Sequence, residues 1–128
     1  MEDFDWVTAT CQCSTAKIFE TLKAQVKSDV EKRNSSPREG QTRGSFSVVT
    51  NGVSFAVLVE DFRTPHRSVV FELVDEGIRV HDDQKLSFVA TATISNERIC
   101  KLKVDDQEYE FWQVRKMALE NLFFGKSS

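Results

Sequence analysis

The stretch Phe46-Ser47-Val48-Val49-Thr50-Asn51-Gly52-Val53-Ser54-Phe55-Ala56-Val57-Leu58-Val59 decides the fold. Two runs of β-forming residues flank an Asn-Gly pair, the strongest short-range signal for a two-residue type I′ hairpin. With that loop Thr50 faces Val53, Val48 faces Phe55 and Phe46 faces Val57, so one face is almost wholly apolar. Ser47, Val49, Ser54, Ala56 and Leu58 make the mixed opposite face. A slip of one residue would exchange the two faces, so the pattern fixes which side is buried.

Downstream, strand-like runs and turn residues alternate. Ser68–Val74 leads through Asp75-Glu76-Gly77 into Ile78–His81, and Asp82-Asp83-Gln84 turns into Leu86–Ile94. In that last run Leu86, Phe88, Ala90, Ala92 and Ile94 share one face. Ser95-Asn96-Glu97 leads into Arg98–Val104, with Cys100, Leu102 and Val104 inward and Lys101 and Lys103 outward. Residues 108–111 fit either a short strand after an Asp105-Asp106-Gln107 turn or the start of a helix capped by Asp106. Trp112 to Phe124 is helical in composition, with Gly125 in the place of a C-terminal cap.

Upstream, Ser14 or Thr15 caps a helix predicted to run to about Asn34, with the apolar stripe Phe19, Leu22, Val26, Val30. The stripe is narrow, so the helix lies on a surface with one edge buried. Lys27–Glu31 and Asp29–Arg33 have the spacing of surface ion pairs. Residues 4–10, with Trp6 and Val7, read as extended. Residues 34–45 read as a mobile loop punctuated by Pro37, Gly40 and Gly44. The fold class is therefore α+β in one domain spanning 1–128. It comprises an N-terminal helix, an antiparallel meander sheet of about five to six strands, and a C-terminal helix packed on one face. In layout alone it resembles frataxin-like proteins and small dimeric chaperones, and pleckstrin-homology domains also end in a Trp-bearing helix. No motif matches these families residue by residue, so the likeness implies nothing about function.

Composition narrows the function. The chain has 128 residues, a net charge of −3, 40% hydrophobic residues and 10 Phe against 5 Gly and 2 Pro. That excludes a disordered or collagen-like chain. It also argues against nucleic acid as partner, although Arg33, Arg38, Arg43, Arg63, His66 and Arg67 cluster around the first hairpin. No apolar run is long enough for a membrane helix, and the acidic start lacks a secretory leader's basic region, so a cytoplasmic protein with no membrane partner is expected. Cys11, Cys13 and Cys100 are odd in number, and free thiols are the simplest expectation.

Chemistry is sparse. Cys11, Cys13 and Cys100 with His66 or His81 lack zinc-site spacing, and no nucleophile, zinc-protease or phosphate-loop motif occurs. No catalytic residue, metal or cofactor is assigned. The acidic pairs Glu60-Asp61, Asp75-Glu76, Asp82-Asp83 and Asp105-Asp106 fall at turns, where Asp bonds its own backbone. The C-terminal helix carries more apolar surface than one buried face needs. Trp112, Phe123 and Phe124 are therefore the interface candidates, and a homodimer is the expected assembly. The function expected is a non-enzymatic binding or regulatory domain that self-associates. The alternatives are a cup for a small apolar ligand between sheet and long helix and, more remotely, a thiol-dependent enzyme.

Overall fold

A computed structural model describes residues 3–35, 46–59, 67–83 and 85–124. Its elements run α1 (Trp6–Gln12), α2 (Thr15–Ser35), β1 (Phe46–Asn51), β2 (Ser54–Val59), β3 (Arg67–Val74), β4 (Gly77–Asp82), β5 (Lys85–Ile94), β6 (Cys100–Val104), β7 (Gln107–Tyr109) and α3 (Phe111–Phe124). The fold is α+β, with seven antiparallel strands in sequential order rather than five or six. Apart from residues 34 and 35, which end α2, the expected 34–45 loop lies outside the described residues.

Of the expected extended segment, residues 6–10 are helical. The Asp5 carboxylate caps α1, accepting the Thr8 N–H at 3.1 Å and the Thr8 hydroxyl at 2.7 Å. The strand preference of Trp6 and Val7 has no neighbouring strand to act through, and both stay exposed on a helix with no buried residue. In α2 the Ser14 hydroxyl accepts the Lys17 N–H, and the predicted stripe is buried with Ile18 and Arg33 added to it.

The first hairpin forms with its pairing moved one step along the strands. Thr50 faces Phe55, Val48 faces Val57 and Phe46 faces Val59, and the two-residue loop is Gly52-Val53 between paired Asn51 and Ser54. Gly52 has φ +60° while Val53 keeps a negative φ, which is the demand of a II′ loop rather than I′. Because the shift is a whole pair, each strand keeps its inward side, and Phe46, Phe55, Val57 and Val59 are buried; of the expected inward set Val48 is half-buried, Thr50 is exposed, and Val53 moves into the loop, 59% exposed. The two-residue I′ pattern instead joins β6 to β7, where Asp105 and Asp106 have φ +50° and +66°. Glu110 then precedes α3, and the Gln113 side chain accepts its N–H at 2.8 Å, half of a capping box. Residues 107–109 are thus strand and 111 onward helix.

Leu86 does not share the buried face of Phe88 and Ala90. Val80 pairs with Phe88 but His81 pairs with Leu86, so Ser87 is an extra residue at a β-bulge. The bulge turns Leu86 outward beside His81, leaving it 57% exposed. Farther along, β5 pairs with β4 up to Ala90 and with β6 from Thr91. Gly77 sits against that handover at φ +147°, and a Cβ there would overlap the Ala90 carbonyl oxygen.

Both long helices pack on the inward face of the sheet, α2 against β1, β3, β4 and β5 and α3 against β3 and β6. Phe55 stacks on Phe71 with centroids 4.7 Å apart, and Phe19 of α2 lies 5.2 Å from Phe55. The space between α2 and the sheet is thus filled by aromatic side chains.

Two substitutions separate the roles of the glycines. Gly52→Ala meets no neighbouring atom and carries only its left-handed backbone cost, about 1–2 kcal/mol. Gly77→Ala adds overlap with β5, so a loss above ~3 kcal/mol in urea unfolding is expected. Equal losses would refute the close approach. Hydrogen bonds from Thr8 hold the Asp5 carboxyl below its usual pKa. A lowered pKa contributes stability that is lost as pH falls through the folded value, so α1 should fray at the acid end. The Thr8 amide NMR shift reads this directly, and an Asp5→Asn variant should lose the titration.

Candidate functional site: the groove between α2 and α3

The last turns of α2 run beside α3, and a groove of about 530 Å³ lies between them. Leu119 and Phe123 of α3 line its apolar part, and both are buried. Trp112 stands at the first turn of α3 and Phe124 at the last, 53% and 41% exposed. The three interface candidates Trp112, Phe123 and Phe124 therefore line one groove. Their roles differ: Phe123 is 6% exposed and packs edge-on against Phe46 at 5.0 Å, so it is wall and core together. The Trp112 indole N–H donates to the Glu110 carboxylate at 3.1 Å, which holds its ring at the groove's mouth.

Two arginines set the spacing of the helices. Arg115 Nε donates to Asp29 Oδ2 at 2.7 Å and its Nη1 donates to Gln25 Oε1 at 2.8 Å, both on α2. Asp29 therefore faces α3 rather than Arg33, replacing the surface pair expected within α2. Arg33 turns inward, 5% exposed, and its Nε–H donates to the Phe123 carbonyl at 2.9 Å. That carbonyl is among the last four of α3, which have no partner within the helix. The guanidinium also lies over the rings of Phe46 at 5.2 Å and Phe124 at 5.1 Å, near enough for cation–π attraction. Arg33 extends the stripe 19, 22, 26, 30 by one more helical step. A charged residue in a stripe position was the signal available for it in the sequence.

The other residues singled out by chemistry lie elsewhere. Cys13 and Cys100 are joined in a disulfide and only Cys11 is free, so the expectation of three free thiols is corrected. The sequence distance of 87 hid a pair that the fold brings together. His81 lies on β4 with its Nε2 3.8 Å from Glu72, and His66 is outside the described residues. Among the described residues no three His, Cys, Asp or Glu side chains are grouped to hold a metal. Arg67 pairs with Asp82 at 3.1 Å and Asp83 at 3.2 Å, so one basic-loop candidate neutralises one acidic pair. Arg38, Arg43, Arg63 and the pair Glu60-Asp61 are outside the described residues. No helix among them is long and apolar enough to cross a membrane.

Comparison with protein-family models, with curated proteins and with solved structures finds nothing that matches the chain. The groove is therefore read from its own geometry.

Arg33→Met keeps the bulk but orphans the Phe123 carbonyl, and about 1–3 kcal/mol of stability should be lost. Lys32→Ala, one residue away on the exposed rim, should stay within about 0.5 kcal/mol of wild type. Chemical denaturation of both variants checks the contrast.

Proposed function

We propose that this chain is a non-enzymatic binding domain that works as a homodimer and docks a partner segment in the α2–α3 groove. The observation that carries the reading is the convergence of exposed Trp112 and Phe124 on one groove with an apolar wall. Large exposed aromatics beside a buried apolar surface are the usual anchors of interfaces. Charge selects the occupant. Arg115 pairs with Asp29 and Lys116 with Glu120, and the exposed Lys32 stands on the rim outside those pairs, in a chain of net −3. An amphipathic segment with acidic residues flanking its apolar face matches that arrangement.

Packing favours this over the cup between sheet and helix, since Phe19, Phe55 and Phe71 occupy that space themselves. The proposed location is the cytoplasm. Cys13 is buried, which shields the Cys13–Cys100 bridge from the thiol pool there, so alkylation of intact cells should label Cys11 alone. Labelling of all three cysteines would show the bridge open in the cell.

Trp6 is exposed on α1, away from the groove, so Trp6→Phe leaves Trp112 as the one tryptophan of the chain, excited selectively over Tyr109. Titration with a Leu/Glu amphipathic peptide should then give a saturable blue shift. The Leu/Lys counterpart should give none, and Lys32→Glu should weaken the response about tenfold or less, as one rim charge does. No response to either peptide sinks the docking reading. A response to a neutral apolar dye alone would turn it toward small-ligand binding.

A further inference from the structure

The homodimer proposed above needs a surface, and the geometry points to β1, the end strand of the sheet among the described residues, which we propose pairs antiparallel with β1 of a second copy of this chain. The backbone directions are fixed by two observations. The Asn34 side chain donates to the Phe46 carbonyl and accepts the Phe46 N–H, both at 2.9 Å, so Phe46 turns its polar groups away from β2. Asn51 and Ser54 flank a two-residue loop, so they form a hydrogen-bonded pair. Alternation along the strand then aims the N–H and C=O of Val48 and Thr50 outward, while Ser47 and Val49 bond to β2.

Among the described residues no strand lies beyond this edge. β1 reads Phe-Ser-Val-Val-Thr-Asn, with no charge and no proline. The opposite edge is guarded: β7 has three residues, one of them Glu108, after the Asp105-Asp106 turn. Charge, shortness and proline are how sheet proteins prevent edge pairing, and β1 uses none of them.

The edge is complementary to itself in one register. If Val48 lies opposite the partner's Thr50, each of the two symmetry-related pairs exchanges two hydrogen bonds. All outward groups of Val48 and Thr50 are then used. Centring on Val48 or on Thr50 uses only one such pair, and sliding toward Phe46 is blocked because Asn34 already holds it. Opposite Phe46 the partner chain has reached Gly52 and turns back toward its own β2, so Asn34 does not obstruct it. In this register Val49 meets the partner's Val49 on the two-fold axis as a close, non-hydrogen-bonded pair. That gives a use to a valine left 50% exposed.

Sedimentation velocity over a concentration series tests it. Wild type should be a dimer, and Val49→Lys, which sets two like charges together on the axis, should raise the dimer Kd at least tenfold with unchanged circular dichroism. In a Cys11→Ser background, Val49→Cys should cross-link on mild oxidation and Ser47→Cys should not. A monomeric wild type, or a dimer indifferent to Val49→Lys that does not cross-link through position 49, overturns the proposal. The peptide titration of Trp112 in the Val49→Lys protein keeps the two readings apart, because groove binding should persist there.

Discussion

The buried guanidinium of Arg33 is the interaction on which the arrangement of the helices depends. A charge taken out of water is costly unless its donors are bonded and its surroundings polarisable. Arg33 meets that condition at the C-terminus of α3, where the Phe123 carbonyl accepts its Nε–H. The negative end of the helix dipole is there as well. The rings of Phe46 and Phe124 add two faces on which a flat cation is at home. One side chain thus joins the end of α2, the end of α3 and the start of β1. The next residue, Asn34, takes up both backbone groups of Phe46. Two consecutive residues settle where the strand run begins relative to both helices.

The other end of α2 is held covalently. Cys13, just before the helix, is bridged to Cys100 at the start of β6. Closing a loop of 87 residues contributes about 4–5 kcal/mol by chain-entropy arithmetic. Burial of Ile18, Phe19, Leu22, Val26 and Val30 seats the helix on the sheet, and the bridge and Arg33 fix its two ends. Between the two fixed ends, Arg115 bonds to Asp29 and Gln25 and holds α3 alongside. The groove is the space these polar ties leave open, which is why its rim is charged and its wall apolar.

The fold was legible where periodicity governs it. The stripe of α2, the alternation of β2 and β6 and the meander order follow from spacing alone. What escaped was set by single local events. The Asp5 cap made a helix of residues with strand preference, and the extra Ser87 turned Leu86 outward without any signature in the alternation. The choice between Asn51-Gly52 and Gly52-Val53 as the loop depends on which residue takes a positive φ, and Gly52 serves either. Of the site, the aromatic surplus on α3 could be read directly, since Trp112 and Phe124 exceed what one buried face uses. The ties that shape the groove could not, because Arg33–Phe123 and Arg115–Asp29 join residues 90 and 86 positions apart. The Cys13–Cys100 bridge was hidden for the same reason.

The groove and the β1 edge are not independent features. Phe46 gives its ring to Arg33 and to Phe123 in the groove wall and its backbone to Asn34 at the strand edge. A neighbouring strand can therefore run along β1 only from Val48 onward, since bonding Phe46 would displace Asn34 and loosen the support of Arg33 beside it. The same limit keeps a paired strand clear of the groove. Separation of the two surfaces thus follows from one short contact, so the pairing proposed for the sheet edge would leave the space between the helices open.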